Sequence, residues 1–396
     1  MSALPSDRLA DTYRFSLDVV TLLHNLYGTD VERVLQAMKR PHGRYYFRAN
    51  TLKSDTDRVY TQLSSKGFKV HRDQRVEEAL YLEVEGPYAI SPCPKTLTVD
   101  KFTAEAVLQG AYVYAPGIVD CKGLRYGEKV AILDEKGWHI ANGIAEMGEA
   151  SILELRRGLA VRVTESLYRA PSLGETEEYL RGEIYLQSLP AMVTGRVLDP
   201  QPKDVVVDFN CAPGGKLSHI CQLTRNGAEV YGMDRTKAKI AETRNNLNRL
   251  GCKNAVLTIQ DTRYLDRDHP NLKADKCLID PPCSALGVIP KVYDETTFQK
   301  IRALAEYQKQ FLSVASRILK PHGRVAYSVC TISIGECEEV VAFAEAHCDL
   351  ELVEQPLYLG SPGFNAVSRP SLVQRFHPHI HGAGYFIALF EKKGKS

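Results

Sequence analysis

The chain has 396 residues, a formal net charge of +2, and apolar and charged shares of 44% and 25%, the balance of an ordinary globular protein of roughly two to three domains. Its longest apolar runs, such as Val205 to Phe209 and Tyr385 to Phe390, are strand-sized and far below the ~18 residues of a membrane span, and no basic segment leading into an apolar core opens the chain; neither a membrane nor a secreted protein is expected. Ten cysteines without CxxC spacing argue against a zinc ribbon or disulfide framework and for a reducing cytoplasm.

Helices are expected at Ser16 to Tyr27 and Val31 to Met38, separated by Gly28-Thr29-Asp30, with Asp30 placed to cap the second. Tyr45 to Leu52 reads as a strand. A helix capped by Ser54, with Asp57 at the capping-box position, follows and stops near Gly67; another strand is expected near Ala79 to Val84. Together these form a small βαβ-like, RRM-like unit within residues 1–90. From residue 91 to 171 the texture changes to short alternating strands: Ala111 to Tyr114, Lys129 to Leu133, Trp138 to Ile144 and Leu159 to Val163, with a hairpin-like turn at Asp134 to Gly137. That pattern predicts a small β-barrel. Residues 172–396 alternate strand and helix, with strands at Val205 to Phe209, Val230 to Met233, Ala255 to Ile259, Lys276 to Ile279, Val325 to Ser328 and Tyr385 to Phe390. Thr297 to Leu319 has the spacing of a long helix. The alternation predicts an α/β fold with a doubly wound, Rossmann-like parallel sheet.

Acids close three successive strands. Asp208 ends the first, ahead of the turn Asn210-Cys211-Ala212-Pro213-Gly214-Gly215-Lys216; Asp234 ends the second, where an acid can bridge ribose hydroxyls; Asp261 follows the third, where it or its amide can meet an adenine. Each alone is explained as a helix cap; three along one sheet edge point to a nucleotide-like cofactor. Without GxGxxG, S-adenosylmethionine fits better than a dinucleotide. The next two strands end in Asp280-Pro281-Pro282-Cys283 and Ser328-Val329-Cys330-Thr331. Methyltransferases that act on exocyclic amines carry Tyr or Phe where Cys283 stands; a thiol there favours a carbon target. A lone cysteine is commonly a buried small hydrophobe, but a thiolate can add to a ring carbon and leave again.

These segments resemble the Sun-type (NOL/NOP/Sun) RNA cytosine-5 methyltransferases: the Asn210–Lys216 turn, the Asp234 and Asp261 strand ends, Asp280–Ser284 and Tyr327–Thr331. Arg48 to Lys53 is similar to that family's N-terminal motif and Arg375 to Phe386 to its C-terminal one; the chain departs from the family pattern at Asn210-Cys211 and Val329. The resemblance implies a methyltransferase sheet, with Cys330 as the nucleophile toward C6 of cytosine and Cys283 assisting loss of the C5 proton and release of the product. Asp280 would hold the cytosine amino and ring nitrogen, and Lys216 would supply a nearby positive charge. Asn210 to Lys216, Asp234, Asp261 and Asp280 would line the S-adenosylmethionine site.

The inserted region resembles a PUA domain, through Gly110 to Gly117, Gly127 to Val130 and Ile140 to Gly143. Within a Sun-type enzyme this is similar to the branch that methylates the tRNA acceptor end, near cytosine 72, and it implies tRNA as partner through the acceptor stem and 3′ CCA end. Lys122, Arg125, Arg156, Arg157 and Arg162 would neutralise phosphates, although singly such residues are usually solvated surface. His377, His379 and His381 would share one face of a strand and could hold a metal, but the flanking Pro378 and Gly382-Ala383-Gly384 favour a loop, and no metal is expected. Three other readings compete. A DNA cytosine methyltransferase would attack with Cys283 but lacks its other motifs here; a non-catalytic RNA binder would need neither thiol; and a small-molecule methyltransferase would not need the insert.

Overall fold

The computed structural model describes residues 5–394, which fall into two compact units. One comprises the described parts of residues 1–45, 82–172 and 289–295; the other comprises 46–81, 173–288 and the described parts of 296–396.

In the first unit three helices precede a six-stranded sheet: Ser6–Tyr13, Leu17–Tyr27 and Val31–Met38. The first falls in a stretch, to about Lys39, that reads as helical in the sequence without marking its bounds. Ser16 caps the second, its hydroxyl accepting from the Val19 amide at 3.2 Å. Asp30 does not cap the third: it closes a 3-10 turn, Gly28–Asp30, and its carboxylate pairs with Arg33 instead. The sheet runs Val113–Tyr114, Leu159–Ser166, His139–Ala145, Lys129–Leu133, Thr96–Val99, Ile118–Asp120, antiparallel except where Thr96–Val99 joins Lys129–Leu133. Its inner face is apolar, with Leu97, Val130, Ile132, Ile140 and Val161 buried. The predicted hairpin turn is present, with Asp134 Oδ1 accepting from the amides of Lys136 (2.9 Å) and Trp138 (2.8 Å), an Asx-type closure.

The second unit holds the large sheet. Its strands are β1 (Val205–Asp208), β2 (Glu229–Asp234), β3 (Ala255–Ile259), β4 (Ala274–Ile279), β5 (Leu319–Val329), β6 (Leu350–Leu352), β7 (Ser361–Pro362), β8 (Val373–Phe376) and β9 (Tyr385–Lys392). Among the described residues they run in the order β3-β2-β1-β4-β5-β9-β8-β7, with β6 beside β9. The five strands β3, β2, β1, β4 and β5 are parallel; β9 and β8 continue antiparallel. Apolar clusters cover both faces, one centred on Phe311, Val325 and Phe386, the other on Val206, Leu217 and Leu278, as doubly wound sheets require. The chain order reverses between β1 and β4, so the crevice at their carboxyl ends is where such a fold binds ligand.

A four-stranded sheet, Ile184–Leu186, Arg44–Ala49, Ala79–Glu83 and His71–Arg72, accompanies the helix Thr56–Ser65. That helix is capped by Asp55, which accepts from the Arg58 amide at 2.7 Å, and not by Ser54; the chain simply enters the helix one residue later. Asp57 then lies outside any capping box and pairs with Arg72. The histidine run is neither strand nor loop: Pro378–His381 is a single helical turn between β8 and β9, and no metal-holding cluster of His, Cys, Asp or Glu occurs among the described residues. No helix among the described residues is long and apolar enough to cross a membrane.

Candidate active site

Strand order converts the sequence motifs into a row. Reading along the carboxyl edge, Asp261 follows β3, Asp234 ends β2, Asp208 ends β1, Asp280 follows β4 and Cys330 follows β5. All five lie in one compact unit.

The turn after β1 is shaped by two glycines. Gly214 has φ +104, which L side chains rarely adopt, and a Cβ there would stand 3.2 Å from Thr243; on Gly215 it would stand 2.9 Å from the Tyr185 ring. Gly215 opens the helix Gly215–Leu223, whose second residue is Lys216. The buried Arg48 fixes this first turn, donating to Ser218 Oγ at 2.7 Å and to the Gly215 carbonyl at 3.3 Å. Asn50 donates to the carbonyls of Gly182 and Leu250, both at 2.7 Å. Arg48 therefore braces the cofactor turn, while Asn50 ties the same segment to Gly182 and Leu250.

A cavity of about 110 Å³ lies against this turn, lined by Asp208, Asn210 to Pro213, Gly215, Lys216 and Asp280, with Tyr185, Gln187 and Ala191 opposite. Asn210 Oδ1 and both amide atoms of Gln187 are buried without a hydrogen-bond partner. Orphaned polar atoms, close backbone approach at two glycines and a row of carboxylates suit a cationic, nucleoside-bearing group, so these residues fit S-adenosylmethionine. Cys211 offers only backbone: its side chain is buried in the core near Gly232, and burial pushes the thiol well above its ordinary range. Asp234 accepts from the Arg235 amide at 2.8 Å and pairs with Lys239 at 3.3 Å. Asp261 is held below the usual carboxylate range by Arg263, which grips it at 2.6 and 2.9 Å. Its backbone is thus freer than its carboxylate to meet a base.

Burial pushes the Asp208 carboxyl up to about 7 against the pull of the Asn210 amide, with repulsion from Asp280 adding to the rise. Because the unfolded group titrates near 4, the folded state binds the proton more tightly. Stability is then greatest below about pH 4 and falls as pH rises toward 7, by roughly 4 kcal/mol at most. Asp208→Asn should flatten that slope in urea titrations between pH 4 and 8; an unchanged slope would assign it to other groups.

On the other side of Asp280 sit the thiols. Lys216 Nζ binds Asp280 Oδ2 at 2.5 Å; Ser328 donates to Asp280 Oδ1 at 3.4 Å, and Tyr385 donates to Ser328 at 3.3 Å. Burial alone would lower Lys216, but Asp280 holds it above its ordinary value, and so charged. Cys283 Sγ and Cys330 Sγ are 3.4 Å apart. Their hydrogen bond divides the pair: it draws the Cys330 thiol below its ordinary range, with Lys216 adding to the drop against burial and Asp280, and pushes Cys283 up.

Several buried groups escaped the sequence reading. Glu78 binds His219 at 2.7 Å and also pairs with Arg196. Glu338 binds Arg375 at 2.5 and 2.6 Å, both fully buried. Glu336 collects donors under the thiols. In the first unit Lys122, Arg125, Arg156 and Arg157 are all exposed. Arg156, however, donates to the carbonyls of Pro116 and Ile118 at 3.1 and 3.2 Å, and Arg162 pairs with Glu146. Tyr114 and Tyr126, 56% and 73% exposed, were not singled out in the sequence, yet they belong to the same unit.

Comparison with known proteins gives concordant matches. Residues 195–391 match the family model of 16S rRNA methyltransferase RsmB/F, residues 95–167 a PUA domain, and residues 19–89 the RsmF/B-like ferredoxin-like domain. The chain is 40% identical to a tRNA (cytosine(72)-C(5))-methyltransferase of Pyrococcus horikoshii, over 93% of this chain and 94% of the other. It is 28% identical to the human tRNA (cytosine(72)-C(5))-methyltransferase NSUN6, over 81% and 76%. The crystal structure of NSun6 from P. horikoshii with SFG superposes with a TM-score of 0.88 at 38% identity, covering 97% of this chain and all of that one.

Proposed function

The chain belongs to the Sun-type, RsmB/F-like family of S-adenosylmethionine-dependent RNA cytosine-5 methyltransferases, and from that membership we propose that it methylates C5 of cytosine 72 in the tRNA acceptor stem. The observation that carries the reading is the 3.4 Å thiol pair at the ends of two neighbouring strands, beside the Lys216–Asp280 ion pair.

S-adenosylmethionine, whose analogue SFG accompanies the P. horikoshii relative, supplies an electrophilic methyl group. The residues of this chain do the rest. The target base leaves its stack to reach the pocket. Asp280 hydrogen-bonds the exocyclic amine and N3, favouring the protonated ring. The Cys330 thiolate forms a bond to C6, and the displaced π pair makes C5 the nucleophile that takes the methyl group. Lys216 holds positive charge against Asp280 and near the thiolate. Cys283 assists removal of the C5 proton; the returning electron pair re-forms the double bond and expels Cys330. Asn210 to Lys216, Asp234 and Asp261 hold the donor on the β1 to β3 side of the crevice, while the two thiols stand on the β4 to β5 side.

On this reading residues 1–90, 91–171 and 172–396 divide the labour. The PUA domain takes the 3′ CCA end, with Lys122, Arg125, Arg156 and Arg157 near phosphate; in Arg156 the carbonyl contacts leave part of the guanidinium for it. The reading invokes no second protein, and ten free cysteines suit a reducing cytoplasm. With labelled methyl donor and tRNA transcripts, label should appear at position 72, disappear when uridine replaces cytosine 72, and fall roughly tenfold or more without CCA, about 1.4 kcal/mol. Full activity on trimmed tRNA would remove the acceptor-end assignment.

A further inference from the structure

Under the thiols lies a carboxylate that the reaction as described does not use. Glu336 is fully buried. Its Oε1 accepts from the Ser284 amide at 2.8 Å and from Gln308 Nε2 at 3.1 Å; its Oε2 accepts from Ser284 Oγ at 2.5 Å, Ser333 Oγ at 2.7 Å and Thr331 Oγ1 at 3.4 Å. Gln308 also donates to the Pro282 carbonyl at 3.0 Å, and Tyr327 donates to the Glu336 carbonyl at 2.7 Å. Gln308 lies on the helix Phe298–Ile318; the other donors come from two loops, the one after β4 that carries Cys283 and the one after β5 that carries Cys330. Beyond the ladder pair Ile279↔Tyr327, these loops are joined by Gly287 N to Cys330 O at 3.0 Å, by Ser284 Oγ and Thr331 Oγ1 at 2.6 Å, by Ser328 to Asp280 at 3.4 Å, and by the Glu336 cluster. So many donors on one carboxylate far exceed what a cap or turn needs.

We propose that Glu336 is the positioning residue of the thiol pair: it gathers both cysteine loops onto one carboxyl group, holding Cys283 and Cys330 in hydrogen-bonding range and keeping Cys330 the more reactive sulfur. The surrounding charges bear on the two thiols unequally. Glu336 faces Cys283 and helps hold its thiol up, behind the hydrogen bond to Cys330 and burial, while Lys216 and Asp280 face Cys330 with opposing effects. The inference rests on Cys330 as the nucleophile.

The test is Glu336→Gln in the full-length enzyme, read by limited iodoacetamide labelling with peptide mass spectrometry alongside steady-state kinetics. The wild type should label first at Cys330. The variant should share label with Cys283 and lose roughly 100-fold in kcat, the scale of a 1 Å misplacement, with KM for S-adenosylmethionine little changed. Loss of stability alone would not redistribute label between two thiols. Wild-type kcat with label still on Cys330 would overturn the proposal. If Glu336→Gln does not fold, Ser333→Ala, which removes the 2.7 Å donor, decides: unchanged label partition overturns the proposal, and a shift toward Cys283 supports it. Labelling of Cys283 first in the wild type would instead defeat the nucleophile assignment itself.

Discussion

Replacing Cys330 with alanine is expected to lower methyl transfer by roughly 10⁴-fold or more, because the covalent route through C6 is lost and C5 of an unactivated cytosine is a poor nucleophile. Binding should survive. Cys330 is absent from the lining of the cavity beside the glycine turn, so affinity for the methyl donor should stay near wild type by calorimetry, and tRNA affinity should change little. Cys283→Ala should behave differently, because it leaves the attacking sulfur in place and removes the group that helps discharge the product. Methylation by that variant should stall with nucleic acid attached. Equal residual turnover in both variants would mean that neither thiol bonds to the base.

Arg375→Met should be the most destabilising single change outside the reacting groups. Arg375 and Glu338 are both fully buried and bound through two contacts of 2.5 and 2.6 Å; Arg375 also donates to the Ile332 carbonyl at 3.1 Å and stacks 4.6 Å from the Phe364 ring. Removing the cation strands a carboxylate in the core, which costs about 3–5 kcal/mol, a large part of a typical domain's stability. Urea unfolding should show that loss, and the paired variant Arg375→Met with Glu338→Leu should recover much of it, since no buried charge remains. A loss below about 1 kcal/mol would mean water reaches Glu338. Ile332 lies two residues past Cys330, so the same pair also holds the nucleophile's loop.

The contrast between these two predictions shows what the sequence disclosed. Cys330, Cys283 and the acids at Asp208, Asp234, Asp261 and Asp280 were legible because each stands at or just past the end of a run rich in apolar residues, and a parallel sheet aligns such ends along one edge. The neighbours of that edge were also foreseeable, from the β1 turn and its two glycines. Arg375 was noticed only as part of a family-like segment, and its partner Glu338, 37 positions away, carried no mark. Glu336 and the Glu78–His219 contact are of the same kind: buried carboxyl groups with partners tens to more than a hundred residues away (Ser284 and His219), whose meeting depends on tertiary closure and leaves no local period. Local competition explains the smaller differences. Ser54 and Asp55 are both good caps, and one residue of entry decides between them; Asp30 found Arg33 within its own turn. The sequence places the RRM-like segment with the N-terminal helices, yet residues 46–81 form one compact unit with the sheet. Arg48 and Asn50 contribute to this: Arg48 bonds to the helix that carries Lys216, and Asn50 to the carbonyls of Gly182 and Leu250.

The most direct measurement is a denaturing gel of wild type, Cys283→Ala and Cys330→Ala after incubation with tRNA and methyl donor. A retarded protein–RNA band that withstands denaturant should accumulate with Cys283→Ala and be absent with Cys330→Ala. The opposite pattern, a band from Cys330→Ala alone, would place the attacking sulfur at residue 283 and contradict the account.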